Sequence, residues 1–116
     1  TVLVKGQTLK ENKDFRRLYY RGKNRAGSLL VTYAMKNKKG FNAYGITTGK
    51  KIGGAVERNR ARRIIRVAFS NLEKEIEGSW DFVFVARTKS TVVKEQELEA
   101  QMREQFVELG VINEKA

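Results

Sequence analysis

The sequence has no histidine and no cysteine, and only two of its 13 acidic residues are aspartates, Asp14 and Asp81. Histidine is the commonest general acid or base, and cysteine supplies the thiolates of disulfides and many metal sites. A two-metal nuclease centre needs several carboxylates that converge on ions about 3.5–4 Å apart. We therefore expect no catalytic residue and no metal site in the polypeptide. The lack of cysteine fits a reducing compartment.

Long apolar runs are also missing. No stretch approaches the roughly 20 residues that a membrane-spanning helix needs, and no signal-peptide pattern opens the chain. We therefore expect a cytoplasmic protein with no membrane partner. The length of 116 residues predicts a single domain, 1–116, with one modest core. Residues 1–8 show no periodic pattern, and we expect them to form a flexible arm.

Positive charge is abundant and unevenly distributed. The chain carries 24 Lys and Arg against 13 Asp and Glu, a formal net charge of +11. Residues 1–90 hold 21 basic and 7 acidic residues, a net of +14, whereas 91–116 hold 3 and 6, a net of −3. This asymmetry predicts that a polyanion, most simply RNA, contacts the basic body and avoids the acidic C-terminal helix and tail at 91–116.

The basic residues are densest between Gly49 and Arg66, where seven cations and one anion occupy 18 positions. At about 100° per residue, the apolar residues of this region share one side of a helix. They are Ala61, Ile64, Ile65, Ala68, Phe69, Leu72 and Ile76. The other side carries Asn59, Arg62, Arg63 and Arg66, with Arg58 and Arg60 at its borders. No glutamate stands four residues after these arginines, which favours an anion-binding face over a merely solvated one.

The hydrophobic pattern predicts six elements in the order α-β-β-α-β-α. The first is a helix at 9–20 with Asn12 as N-cap and Gly22 as its stop, followed by strands at 28–35 and 41–48 that a hairpin turn at 36–40 joins. The arginine-rich helix at 56–76, ended by Gly78 and Ser79, comes next, and a strand at 80–86 follows it. The last helix is capped by Thr91 and carries the apolar stripe Leu98, Met102, Phe106 and Leu109. This order predicts a two-layer α+β sandwich. We expect a mixed sheet of about four strands, with a βαβ crossover around the arginine-rich helix.

The basic region also resembles a family signature. The run Lys50-Lys51-Ile-Gly-Gly-Ala-Val-Glu-Arg58-Asn59-Arg60-Ala-Arg62-Arg63-Ile-Ile-Arg66 is similar to that of the protein subunit of bacterial ribonuclease P. The signature has paired lysines, Gly-x-Ala-Val, then Arg-Asn-Arg and further basic residues. Segments 9–19 and 81–87 resemble the family's first helix and the strand after the arginine helix, so the resemblance spans roughly residues 9–110. Gly54 stands where the family usually has Asn.

The resemblance implies one subunit of a ribonucleoprotein endonuclease that removes 5′ leaders from precursor tRNA. The catalytic RNA performs the hydrolysis with Mg²⁺, which agrees with the shortage of catalytic side chains here. It also implies that the catalytic RNA is bound by Lys50, Lys51, Arg58, Asn59, Arg60, Arg62, Arg63 and Arg66. A left-handed connection between the strands that flank the arginine helix is implied as well, although the general rule predicts a right-handed one.

A second surface follows from the same resemblance. In the family, a cleft between the first helix and the sheet holds the single-stranded leader, which here implies Phe15, Tyr19 and Tyr33 with Arg16 and Lys13 beside them. Aromatic platforms next to cations hold single strands with modest base preference. The alternative is that each aromatic residue belongs to the core, as we expect for Tyr44, Trp80, Phe82 and Phe84. The pattern leaves Tyr20 undecided.

Three other functions compete with this interpretation. A structural RNA-binding protein, such as a ribosomal protein with no substrate of its own, would share the fold class and the basic helix. A sequence-specific DNA-binding protein is disfavoured because the arginine helix has few side chains that read base edges and no dimerisation helix is evident. An autonomous nuclease is disfavoured by the missing histidine and the scattered carboxylates.

Overall fold

The computed structural model describes residues 7–8, 12–38 and 40–112. Its elements in chain order are β1 (Gln7–Thr8), α1 (Asn12–Arg21), β2 (Lys23–Ala26), β3 (Leu30–Lys36), β4 (Ala43–Thr47), α2 (Ala55–Glu73), β5 (Trp80–Ala86) and α3 (Glu95–Leu109). Short 3₁₀ turns at Lys50–Ile52 and Thr88–Thr91 precede α2 and α3.

The strands form one mixed sheet in the order β1-β4-β5-β3-β2. The strands β4 and β5 are parallel neighbours joined through α2, whereas β3 runs antiparallel to β5 and β2 antiparallel to β3. The predicted α+β class, the mixed sheet and the βαβ unit around the arginine-rich helix are confirmed. The handedness of that unit stays a prediction.

Helices cover both faces of the sheet. The stripe of α2 and the stripe of α3 pack on one face, where Phe69 lies with its ring centroid 5.0–6.4 Å from those of four other rings. These rings belong to Tyr44, Phe82, Phe84 and Phe106, and Trp80 is buried beside them. The predicted core is therefore confirmed. The shorter α1 lies on the opposite face, where Leu18 packs against Ala43 and Val83.

The predicted hairpin between β3 and β4 is wrong, because β5 lies between these strands. The hairpin in this part of the sheet instead joins β2 to β3 through Gly27, whose N–H donates to the Leu30 carbonyl at 2.9 Å. Gln101 of α3 supports the turn, since its Oε1 accepts from the N–H groups of Leu29 and Leu30 at 2.8 and 3.2 Å. A Cβ at Gly27 would lie 2.2 Å from that oxygen, so a larger residue here would have to displace the Gln101 amide.

Several predicted boundaries also change. Helix α2 ends at Glu73, and Ile76 leaves the helix to form a bridge with Ile112. Thr91 does not cap α3, since its hydroxyl donates to the Thr88 carbonyl within the preceding turn. Of the predicted arm, residues 1–6 lie outside the described residues, but 7–8 pair with β4. Helix α1 begins at Asn12, residues 9–11 lie outside the description, and Gly22 follows the last helical residue as predicted.

Candidate nucleic-acid interface

The N-terminus of α2 is set by two glycines and the helix's first acidic residue. Gly53 adopts a φ of 135°, a conformation that favours glycine, and Gly54 is the N-cap. The Gly54 N–H donates to the Glu57 carboxylate at 2.9 Å, which is the side-chain half of a capping box. A carboxylate of the protein itself therefore occupies part of this helix terminus.

The outward side of α2 presents the predicted cluster, which we call the arginine face: Asn59, Arg62, Arg63 and Arg66. Asn59, Arg63 and Arg66 are exposed, and Arg62 is partly exposed. The Asn59 Oδ1 accepts a hydrogen bond from Arg62 at 3.0 Å, and Arg63 lies 3.9 Å from the Glu95 carboxylate of α3. Within the described part of the chain, Arg66 forms no ion pair. One acidic partner, reached only through the tertiary structure, leaves this face strongly positive.

The two border arginines have structural contacts as well. The Arg58 Nε donates to the Gly53 carbonyl at 3.1 Å, closing the turn that precedes the helix. The Arg60 guanidinium donates to the carbonyls of Thr91 and Val93 at 3.0 and 3.4 Å, joining α2 to the segment that precedes α3. Both side chains therefore hold backbone carbonyls in addition to any contact with RNA.

The paired lysines lie apart from the arginine face. Lys50 and Lys51 are exposed in the 3₁₀ turn that precedes α2. They line a depression together with Val85 and Arg87 of the β5 end, and the lining includes no arginine of α2. The structure thus places these two lysines at the carboxyl ends of the parallel strands β4 and β5.

The three predicted aromatic residues come together on the other face of the sheet. Phe15 of α1 lies directly over Gly45 of β4, where an added Cβ would stand 2.4 Å from the Phe15 Cζ. The rings of Tyr19 and Tyr33 meet edge to face with centroids 4.8 Å apart. Gly45, Val83 and Tyr33 form one row across β4, β5 and β3. The helix and this row therefore form one wall and part of the floor of an aromatic cleft.

The three aromatic side chains of the cleft are neither fully buried nor fully exposed to solvent. Tyr19 is 41% exposed, and Phe15 and Tyr33 are partly buried against the small core under α1. Burial raises the pKa of the Tyr19 hydroxyl above its ordinary value; a hydrogen bond with the Thr47 side chain opposes that rise, and the neighbouring Tyr33 adds to it. Rings that are half packed and half open are suited to stacking on an unpaired base.

The two cations assigned to the cleft lie elsewhere on α1. Lys13 and Arg16 line a shallow depression with Arg17, Tyr20 and Arg21 on the side of the helix that faces away from the sheet. Arg16 is near the border of that side, about 60° around the helix from Tyr19. Lys13 is turned further away. The role of Lys13 and Arg16 beside the cleft stays a prediction.

The sequence interpretation missed the rest of the cleft floor. The row beyond Tyr33 contains Thr47, Val85 and Val31, which are paired across the three strands and only partly buried. Arg87 follows with extended backbone and an exposed side chain. Alternation along β5 was the available signal, because positions 83, 85 and 87 share one side of an extended chain. The cleft therefore runs from the aromatics of α1 towards Arg87 and the paired lysines.

A half-buried ion pair between α1 and β5 holds the helix on the sheet. Asp81 of β5 is fully buried, and its carboxylate accepts from Arg17 at 3.1 Å and from the Asn37 amide at 2.8 Å. Asp14 lies 3.3 Å from the same guanidinium. Both aspartates of the chain therefore serve the placement of α1, the helix that forms the cleft wall. Among the described residues, no group of three or more carboxylates could hold a metal ion.

Comparisons with known proteins decide the family. A family model described as "Ribonuclease P" matches residues 3–110. The chain belongs to the ribonuclease P protein family. A ribonuclease P protein component from Clostridium botulinum (strain Loch Maree / Type A3) is 34% identical over 111 residues, covering 95% of this chain and 100% of the relative. Another from Clostridioides difficile (strain 630) is 43% identical over 83 residues, covering 71% and 73%.

A solved structure agrees with the family assignment. The ribonuclease P protein of Staphylococcus aureus superposes with a TM-score of 0.81 at 29% identity, covering 94% of this chain and 100% of that one. The resemblance identified from the basic motif is therefore confirmed, because the family model and the relatives are those of the ribonuclease P protein component. The alternative of a ribosomal protein is disfavoured. The described helices are each too short or too polar to cross a bilayer.

Proposed function

We propose that this protein binds the catalytic RNA of ribonuclease P through the arginine face and the 5′ leader of precursor tRNA through the aromatic cleft, and so promotes endonucleolytic removal of the leader. One observation carries the proposal: the two surfaces lie on opposite sides of a single sheet, one rich in guanidinium groups and the other in half-exposed rings. A protein with both can contact two RNAs at once. A structural RNA-binding protein needs only the first.

The chemistry of each surface suits its RNA. Guanidinium groups bond two phosphate oxygens at once, so Arg62, Arg63 and Arg66 are suited to a folded RNA whose backbones lie close together. The cleft offers Phe15, Tyr19 and Tyr33 as stacking surfaces, which require unpaired bases such as those of a leader. Because stacking depends little on base identity, we expect the cleft to accept many leader sequences.

Hydrolysis belongs to the RNA in this proposal. The chain lacks histidine, and its two aspartates are used to position α1. We therefore assign the phosphodiester hydrolysis, and the Mg²⁺ that it requires, to the catalytic RNA, so that the protein is the accessory subunit of a hydrolase. Its place would be the cytoplasm, where precursor tRNA is processed.

Reconstitution tests the overall function. The chain is added to a bacterial ribonuclease P RNA, and cleavage of precursor tRNA is followed at low Mg²⁺, where the protein should raise the rate. The protein freed of all RNA should leave the same substrate intact with Mg²⁺. Site-specific cleavage by RNA-free protein would contradict the assignment of catalysis to the RNA, and a holoenzyme no faster than the RNA alone would contradict the accessory role.

Substitution of Tyr33 tests the cleft. Stacking is worth about 1–3 kcal/mol per base, so Tyr33→Ala should weaken holoenzyme binding of leader-bearing precursor by about tenfold. Mature tRNA, which has no leader, should bind unchanged, and Tyr33→Phe should retain most of the affinity. If Tyr33→Ala lowers the melting temperature and weakens both RNAs equally, Tyr33 acts as a core residue and the leader assignment is wrong.

A further inference from the structure

The side of α1 that faces away from the sheet carries an exposed aromatic ring among cations. Tyr20 is 87% exposed, and it shares a shallow depression with Lys13, Arg16, Arg17 and Arg21. Arg17 is committed to Asp14 and Asp81, which hold the helix on the sheet. We call the remaining four residues the outer face of α1: Lys13, Arg16, Tyr20 and Arg21.

Packing does not explain this surface. Leu18 is fully buried against the sheet, and Tyr20 lies about 160° from it around the helix, so the Tyr20 ring contributes little to the core. In the described residues, neither Arg16 nor Arg21 forms an ion pair, and the nearest acid on the helix, Asp14, is occupied by Arg17. Large exposed aromatic side chains surrounded by cations are typical of surfaces that bind single-stranded nucleic acid.

We propose that the outer face of α1 binds the distal part of the same leader strand that occupies the cleft. This rests on the proposed function of the cleft. Arg16 lies about 60° around the helix from Tyr19 and about 40° from Tyr20, so it stands between the cleft and the outer face. A strand that leaves the cleft past Tyr19 can place a phosphate on Arg16 and stack the following base on Tyr20.

The chemistry favours a single strand over a folded RNA at this place. A protruding ring gains affinity from the face of an unpaired base, whereas the bases of a duplex are already stacked on one another. Lys13 and Arg21 flank the ring on either side along the helix and offer phosphate contacts to the nucleotides before and after the stacked one. The outer face of α1 thus has the composition of one further binding position for a flexible leader.

A ladder of leader lengths tests the proposal in the holoenzyme. Affinity of the wild type for precursor tRNA should rise as the leader fills the cleft and rise again as it reaches the outer face. Tyr20→Ala should remove the second rise, a loss of about tenfold for long leaders, and leave short leaders and mature tRNA unchanged. Tyr20→Phe should keep the second rise. Lys94→Ala, on the opposite side of the sheet, serves as the matched surface control.

The charges give an independent measurement. For long leaders, Arg21→Gln should lower the slope of log affinity against log salt by about 0.7, the value for one phosphate contact to a single strand. For short leaders, the slope should not change. Since the Tyr20 ring is outside the core, the melting temperature of Tyr20→Ala should equal that of the wild type.

The outcomes distinguish a failure of this proposal from a failure of the proposal that the cleft binds the leader. If Tyr20→Ala has no effect at any leader length while Tyr33→Ala weakens leader binding, the cleft assignment stands and the outer face is only a solvated surface. If Tyr20→Ala weakens mature tRNA and long-leader precursor equally, the outer face contacts the catalytic RNA and the proposal is overturned. If the wild-type affinity does not depend on the leader at all, the cleft assignment itself fails.

Discussion

Substituting Gly45 by alanine should distort the cleft through a single contact. The added Cβ would stand 2.4 Å from the Phe15 Cζ and 2.9 Å from its Cε2, whereas carbon atoms pack at about 3.5–4 Å. The ring tip must therefore retreat by at least about 1 Å. Overpacking of this kind commonly costs about 1–3 kcal/mol, against a gain of about 0.5–1 kcal/mol from replacing a glycine within a strand. We expect a net destabilisation of up to about 2.5 kcal/mol.

The Phe15→Ala background isolates the contact. Without the ring, the new methyl group at Gly45 meets no obstacle, so Gly45→Ala should become neutral or stabilising by up to about 1 kcal/mol. The coupling between the two substitutions should therefore reach about 1–3 kcal/mol, within the range of contacting residues. Gly49→Ala is the matched control for stability, because nothing lies within 4 Å of its added Cβ.

Two measurements follow this cycle. Urea denaturation gives the free energy of unfolding of the four variants, and holoenzyme titrations give their affinities for precursor and mature tRNA. Gly45→Ala should weaken the precursor selectively, because Phe15 forms the cleft wall. An equal stability cost of Gly45→Ala with and without Phe15 would refute the packing argument. Equal loss of precursor and mature tRNA would refute the link between this contact and the leader.

Three further predictions concern the arginine face, the anchor of α1 and the cleft tyrosine. Arg62→Ala and Arg66→Ala should each lower the slope of log affinity for the catalytic RNA against log salt by about 0.9, the value for one contact to a duplex phosphate. Lys23→Ala, on the far edge strand, is the control. Equal slopes for all three variants would mean that the arginine face is only solvated. Asp81→Ala should reduce the free energy of unfolding, measured by urea denaturation, by about 2–4 kcal/mol. This is less than the largest losses for fully buried ion pairs, because the Arg17 guanidinium reaches water. A loss under about 1 kcal/mol would contradict the anchoring role of Asp81. The folded-state pKa of Tyr19 is raised above 10.0, so its contribution to stability is present below pH 10 and is lost as the pH rises through the folded-state pKa. A titration followed by phenolate absorbance should therefore contain a component above pH 10 that is missing in Tyr19→Phe.

The sequence by itself determined the elements that bury a regular stripe. Helices α2 and α3 carry apolar residues at helical spacing, strand β5 is an almost continuous apolar run, and the structure buries these residues as predicted. The arginine face follows from the same helical geometry, since a helix that buries one side must present the other. The basic motif was sufficient for the family, because its specificity lies in residue types and their order, which need no coordinates.

Other features depended on the tertiary structure. Strand β2 is exposed along its whole length, so burial imposes no alternation on it and the sequence offered no pattern to find. The hairpin error has a related cause: alternation shows that β3 and β4 are strands, but their hydrogen-bonding partner is β5, which is distant in the chain. A strand's periodicity reports which of its sides is buried and carries no information about its neighbour.

The cleft shows the same division between local and distant information. Helical spacing placed Phe15 and Tyr19 near one side of α1, but their neighbours Gly45 and Tyr33 come from two strands that β5 separates. The sequence determined which rings were available, and only the packing of α1 across the sheet decided that they meet. Local spacing is dictated by the geometry of one element, whereas a cleft between elements depends on contacts between residues far apart in the chain.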